Sequence, residues 1–163
     1  MSATQGIWKL IAAAGLALGL VATGVGAAEK DSHQHGAGEA KLTLDNGKKW
    51  ATDAPLRKGM GNIRTEMQAS LNEIHEGKFP AARYTELAHK VSTEVGGIVA
   101  ECKLEPKADA QLHLVIADLI QGVEAMEGKV KKVKRQSGAV KVLAALEKYG
   151  SYFDDPNWQA LKH

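Results

Sequence analysis

Sulfur and nitrogen side chains are the residues of this sequence whose types and spacing could do chemistry. Met60 and His113 supply a thioether and an imidazole, two donor types that copper accepts. His33 and His35 form a second set, separated by one residue. With a free amine and backbone amides nearby, imidazoles can bind Cu(II) or Ni(II) in tetragonal geometry. We therefore take Met60, His113, His33 and His35 as candidate metal ligands, with copper as the first choice.

Several glycines strengthen the interest in Met60 and His113. In a bundle of helices joined by short turns, positions at equal height on neighbouring helices follow from the turn positions, and that arithmetic places Met60, His113 and the glycines at one level. A glycine inside a helix costs close to 1 kcal/mol relative to alanine, so the glycines predict either close helix packing or room for a guest. In the second case, copper or haem b could bind between Met60 and His113. The glycines concerned are Gly61, Gly96, Gly97 and Gly150.

Other chemistries find less support. Glu86 and His89 form the single Glu-x-x-His spacing, whereas a di-iron carboxylate bundle uses two. Cys102 is the one cysteine, which excludes an intramolecular disulfide framework and covalent haem attachment. It lies on an apolar stripe, where a free cysteine is usually a small buried hydrophobe. No arrangement resembles an active site, so we expect a protein that is not an enzyme.

The N-terminal segment has the pattern of a signal peptide, which we assign to residues 1–28. One basic residue, Lys9, precedes an apolar run from Leu10 to Val21, and small residues follow up to Ala28. Cleavage after Ala27 or Ala28 would remove this segment. We therefore expect a periplasmic protein without a stable membrane anchor. Lys and Arg total 21 against 19 acids; this near-balance argues against a nucleic-acid partner.

The remainder divides into a flexible, histidine-containing arm, residues 29–41, and a domain, residues 42–163. The domain opens with a short irregular or hairpin lead-in, since Asp45-Asn46-Gly47 is a strong turn signal. Apolar residues then recur at steps of three and four in four segments. The segments are bounded by Asp53 and Gly77, by Pro80 and Glu105, by Pro106 and Gly128, and by Ser137 and Asp154. The pattern predicts an all-α fold, an antiparallel up-down-up-down four-helix bundle.

Parts of the chain resemble a group of small exported proteobacterial helical-bundle proteins. The resemblance rests on Leu44–Trp50 with Leu56–Met60, on Cys102–Lys107, and on the stretch from Tyr149 to Trp158; it implies a periplasmic bundle and little chemistry. The layout is also similar to cytochrome b562, which holds haem with a methionine early in the first helix and a histidine late in the fourth. Met60 matches the first ligand, but the fourth segment contains no histidine.

Three functions therefore stay open. The first is periplasmic binding or handling of a transition metal, copper above all. The second is a non-covalent haem-binding electron carrier, and the third is a cofactor-free adaptor or stress protein with a periplasmic protein partner. A basic run from Lys129 to Arg135 is either a solvated loop or a docking surface for an acidic partner or anionic lipid.

Overall fold

A computed structural model describes residues 41–162, and four α-helices form its framework. They are α1 (Ala54–His75), α2 (Ala81–Glu101), α3 (Pro106–Met126) and α4 (Arg135–Tyr152). Two short strands, β1 (Trp50–Ala51) and β2 (Phe153–Asp154), flank the helical part. The expected helical fold and the number of helices are confirmed.

The helix boundaries follow from local residue chemistry. The Asp53 carboxylate accepts a hydrogen bond from the backbone N–H of Leu56 at 2.9 Å, which satisfies one of the unpaired donors in the first turn of α1. Gly77 and Gly128 follow α1 and α3 with φ of 67° and 79°, the left-handed conformation in which helices commonly end at glycine. The fourth helix begins at Arg135, two residues before the predicted cap at Ser137.

The predicted apolar stripes form one core. All six residues of the α1 stripe are fully buried: Leu56, Met60, Ile63, Met67, Leu71 and Ile74. Leu119 occupies the same central position on α3, with no exposed surface. Two residues of the apolar pattern are exceptions. Val140 on α4 is 53% exposed, and Ala139 and Val142 face the core in its place. Cys102, at the end of α2, is only partly buried.

Side-chain pairs hold α1 beside α2, and small residues let α3 and α4 pack closely. Asn62 donates to Glu94 at 3.0 Å and Lys90 donates to Glu66 at 2.8 Å, both between α1 and α2. Between α3 and α4, a Cβ added to Gly122 would lie 2.9 Å from the carbonyl oxygen of Gly138. These two helices therefore approach each other more closely than larger side chains would allow.

Four helix ends meet at one end of the bundle. The Gln136 side chain donates to the carbonyl of Ile74 at 2.7 Å, and the Arg135 guanidinium donates to the hydroxyl of Thr85 at 3.1 Å and to the carbonyl of Met126. The ends of α1 and α3 thus lie beside the beginnings of α2 and α4.

The lead-in contains the predicted turn and joins the far end of the helical part. Asp45 pairs with Lys48 around Asn46 and Gly47, whose φ values are 49° and 83°, as the hairpin turn of this sequence type requires. The following strand β1 pairs in parallel with β2, with Trp50 opposite Phe153. Beyond β2, the backbone of Lys162 exchanges two hydrogen bonds with the Gln68 side chain of α1, at 2.8 and 3.0 Å.

Candidate functional site

The two residues predicted to face one gap are in different environments. Met60 has no exposed surface and belongs to the core. The side chain of His113 is 70% exposed, and its Nδ1 lies 2.8 Å from the carbonyl oxygen of Asp109 one turn earlier. His113 therefore sits on the outside of α3, and the expected opposition of thioether and imidazole across an open space is not found.

The glycines predicted to surround the gap between Met60 and His113 are also in different environments. A Cβ added to Gly61, Gly96 or Gly97 would meet no atom within 4 Å, and the two glycines of α2 are exposed. Gly150 is covered by the indole of Trp158. These glycines therefore do not line one common slot between Met60 and His113. The turn positions give the level of each residue along the bundle but not the side of the helix on which it lies.

A different set of chemical groups meets where α2 ends and α3 begins. A cavity of about 70 Å³ lies there, and both Cys102 and His113 contribute to its wall. Its lining residues are Ile98, Val99, Cys102, Asp109, Leu112, His113 and Ile116. A thiol and an imidazole, separated by the turn at Pro106, therefore border the same small space.

Burial and Asp53 together keep the Cys102 thiol protonated. Burial raises the pKa of Cys102 to about 12, helped by the negative charge of Asp53 and by the hydrogen bond between thiol and carboxylate. The same carboxylate accepts a hydrogen bond from the backbone N–H of Lys103 at 2.6 Å. Although burial alone would raise the pKa of Asp53, this bond, the one from Leu56 and that of the thiol outweigh it, and the pKa is lowered. Cys102 is thus a neutral thiol at pH 7, held beside an ionised carboxylate.

The contact between His113 and Asp109 favours one tautomer of the neutral imidazole. The carbonyl oxygen of Asp109 can only accept, so Nδ1 of His113 carries the hydrogen in the 2.8 Å bond between them. The Asp109 carboxylate, 3.4 Å from the same nitrogen, supports this arrangement. The lone pair then resides on Nε2, the form in which an imidazole binds a metal while its other nitrogen is held by a carbonyl or carboxylate.

Within residues 41–162, no further candidate ligand joins this set. His33 and His35 lie outside the described residues. His89 lies on α2, with Nδ1 3.9 Å from Glu127. Within residues 41–162, no group of three or more His, Cys, Asp and Glu side chains is arranged to hold a metal ion. Whether Met60 or His113 binds a metal stays a prediction, and the cavity offers one thiol and one imidazole.

The sequence contains a signal for this site that the spacing of the apolar residues does not reveal. The turn between α2 and α3 falls near residue 105, so Cys102 and Asp109 lie at nearly the same height. His113 follows Asp109 by one helical turn. Cys102 is the last residue of the apolar pattern in α2, so it borders both the core and the loop that follows. Interpreting it as an ordinary core residue concealed its position opposite the beginning of α3.

Comparisons with known proteins add no relative. The chain matches no protein-family model, no curated protein and no solved structure. Within residues 41–162, none of the helices combines the length and apolar character that crossing a bilayer requires.

Proposed function

We propose that this chain is an exported four-helix-bundle protein that binds a transition metal, copper in the Cu(I) state first, at Cys102 and His113. One observation carries the proposal: the two side chains line the same cavity between α2 and α3. A thiolate is a soft ligand that selects Cu(I), and an imidazole suits copper in either state. Two protein ligands are sufficient for Cu(I), which tolerates low coordination numbers.

Contacts around the cavity support binding at these two side chains. The Asp109 carbonyl orients His113 so that Nε2 keeps its lone pair, as outer partners of metal-binding histidines commonly do. The Cys102 thiol must release its proton on binding, so copper competes with a proton there. The His113 side chain is 70% exposed, which lets an ion reach the cavity from solvent.

We propose an antiparallel, up-down-up-down order for the bundle. Support comes from pairs in which residue numbers rise along α1 and fall along α2: Asn62 with Glu94, Glu66 with Lys90, and Glu73 with Arg83. On this topology α2 and α3 meet at a single turn, which places Cys102 opposite Asp109. On the proposed topology, the proposed site therefore lies beside the shortest connection between two helices.

Export to the periplasm is the second part of the proposal. It rests on the apolar run from Leu10 to Val21 and on the small residues up to Ala28. Intact-mass measurement of protein recovered from the periplasm should give a chain that begins at Ala28 or Glu29. A mass equal to that of the whole sequence would contradict it.

Competition with a chromophoric Cu(I) chelator tests the metal site. In a background with His33→Gln and His35→Gln, which removes the arm histidines, we expect one equivalent of Cu(I) to bind. Cys102→Ser and His113→Gln should each weaken this binding by at least about tenfold, since even outer-shell changes have effects of that size. The matched control is His89→Gln, an exposed histidine on the neighbouring helix, which should leave the affinity unchanged.

A further variant separates this site from the one predicted at Met60. Met60→Leu should leave Cu(I) binding unchanged if Cys102 is the sulfur ligand, and should weaken it if the thioether is. If the background protein binds no Cu(I), or if Cys102→Ser binds as the background does, the site is wrong.

Absorbance of the natively purified protein tests haem b in the same preparation, and the absence of both ligands would favour the cofactor-free adaptor or stress protein.

A further inference from the structure

The connection between α3 and α4 ends in a tight turn that carries both charge and apolar surface. The backbone N–H of Val133 donates to the carbonyl of Val130 at 3.3 Å, with Lys131 and Lys132 at the two corners. Lys132 has a φ of 63°, a conformation uncommon for a lysine. We call Val130–Lys134 the basic turn.

Other described cations at the same end of the bundle are already engaged. Lys129 forms an ion pair with Glu127 at 2.6 Å, Lys78 pairs with Glu76 at 2.9 Å, and Arg83 pairs with Glu73. Arg135 turns inward to Thr85. In contrast, the remaining three lysines of this region are exposed and have no ion pair within the described part of the chain. These free cations are Lys131, Lys132 and Lys134.

The stability of α4 does not explain why the basic turn carries these lysines. The basic turn leads directly into α4, where Lys134 and Arg135 lie at the end of the helix dipole that repels cations. The first turn of α4 contains no acidic residue to offset them. The cluster therefore lowers the stability of α4 while presenting three unpaired charges to solvent.

Two apolar side chains share the turn with these lysines. Val130 is 37% exposed and Val133 is 42% exposed, and the turn hydrogen bond brings them to adjacent positions. A bilayer surface offers phosphate groups directly above an apolar layer, so lysines and valines on one short turn can both be satisfied there. An acidic protein surface would pair with the lysines, but it does not by its nature place an apolar layer directly beneath its charges, as a bilayer does.

We propose that the basic turn docks this protein on the surface of an anionic phospholipid bilayer. The inference goes beyond metal binding and does not depend on it. The turn follows the C-terminal end of α3 and the cavity lies at its N-terminal end, so the two are separated by roughly 25 Å at 1.5 Å per helical residue. A docked molecule would keep the cavity at Cys102 and His113 directed away from the lipid.

Sedimentation with lipid vesicles tests the proposal. The protein is produced from the full chain, with whatever N-terminal processing the producing cell carries out. The protein should sediment with phosphatidylglycerol vesicles and not with phosphatidylcholine vesicles, and added salt should release it. The triple variant Lys131→Gln, Lys132→Asn, Lys134→Gln should bind on the order of a hundredfold more weakly, since each lysine near an anionic surface contributes about fivefold. Asparagine suits the left-handed backbone at position 132.

A matched control removes the same charge from the opposite end of the bundle. Lys58→Gln, Lys103→Gln and Lys107→Gln replace three exposed lysines, and this variant should bind phosphatidylglycerol vesicles nearly as well as the parent. All variants keep the same N-terminal segment, so any contribution from Leu10–Val21 is common to them. Equal loss in the two triple variants would show a general charge effect and would overturn the proposal.

The valines provide an independent readout. Val130→Ser with Val133→Ser should reduce vesicle binding severalfold without changing its salt dependence, whereas Leu44→Ser with Ile120→Ser, at exposed positions away from the basic turn, should not. Absence of binding to phosphatidylglycerol vesicles would overturn the proposal. It would also be overturned if soluble polyglutamate bound as tightly as the vesicles, since an acidic polypeptide would then be the better partner.

Discussion

At the scale of single residues, Asp53 connects the start of the helical part to the candidate site. One carboxylate oxygen caps α1 through Leu56, and the other accepts the backbone N–H of Lys103 just after α2. Its charge also acts on the thiol of Cys102. A single side chain therefore fixes two helix ends and adds to the burial that keeps the sulfur atom beside them protonated.

Replacing Asp53 by asparagine separates the charge from the cap. Asparagine can still accept from Leu56, but the negative charge beside Cys102 disappears and the pKa of the thiol should fall from about 12 while burial keeps it elevated. Native-state alkylation by iodoacetamide at pH 8 should then accelerate, by about threefold for each unit of pKa, because the larger thiolate fraction is partly offset by lower nucleophilicity.

Asp109→Asn is the matched comparison, since the charge of Asp109 also raises the pKa of Cys102 but has the smallest influence of the groups that do so. It should accelerate alkylation less than Asp53→Asn. An unchanged rate in Asp53→Asn would contradict an electrostatic role for Asp53 at the thiol.

At the scale of helices, the glycines fall into two kinds with opposite consequences. Gly96 and Gly97 lie on an exposed face of α2 with open space where a Cβ would be. Gly122 and Gly138 lie where α3 and α4 meet, and a Cβ on Gly138 would come within 2.6 Å of the carbonyl oxygen of Gly122. The first kind costs helix stability without helping packing, whereas the second permits two backbones to touch.

Alanine substitution should therefore change stability in opposite directions. Gly97→Ala should raise the free energy of unfolding by about 0.5–1 kcal/mol, because alanine restricts the unfolded chain and favours the helix. Gly138→Ala should lower it by about 1–3 kcal/mol, because the methyl group forces α3 and α4 apart. Urea denaturation of the two variants beside the parent measures both effects, and shifts of the same sign would contradict the packing described.

Much of the helical framework was predictable from the sequence. The steps between Leu56 and Ile74 reveal the buried face of α1 because a core stripe repeats with the helical period. The pairing of β1 with β2 was not predictable, since two-residue strands carry no pattern. The candidate site was partly predictable. His113 was identified as a candidate ligand, but the residue opposite it depends on which sides of two helices face each other. Cys102 fitted the apolar pattern, which hid its position at the cavity wall.

At the scale of the whole molecule, a carboxylate shared by two lysines links α3 with α4. Asp118 receives hydrogen bonds from Lys148 at 2.6 Å and forms an ion pair with Lys141 at 3.1 Å. Burial alone would raise its pKa, but the two lysines outweigh burial and the pKa is lowered. Asp118 and Asp53 are therefore both more acidic in the folded protein than aspartate in an unfolded chain.

This difference predicts loss of stability in acid. A carboxylate with a lowered folded-state pKa stabilises the fold above its unfolded pKa of about 3.9, and the contribution disappears as pH falls through the folded value. The free energy of unfolding should thus fall below about pH 4. Asp118→Asn should be less stable than the parent at pH 7 and should show a shallower decline in acid. Parallel stability curves for the two proteins between pH 7 and pH 2 would contradict the role of Asp118.

The parallel pairing of β1 with β2 has a mechanical consequence. When the two ends of a chain are pulled, parallel terminal strands are drawn in opposite directions along their length, so their hydrogen bonds bear the force together in shear. Thr52 adds a hydrogen bond to the carbonyl of Asp154 at 2.6 Å, 102 residues away, and Lys49 adds another to the carbonyl of Gly150 at 2.6 Å. Tension would first peel the segment after β2 from α1 and the segment before β1 from Gln111 of α3. It would then load this clamp, which holds the ends of the chain between the two strands together until it breaks.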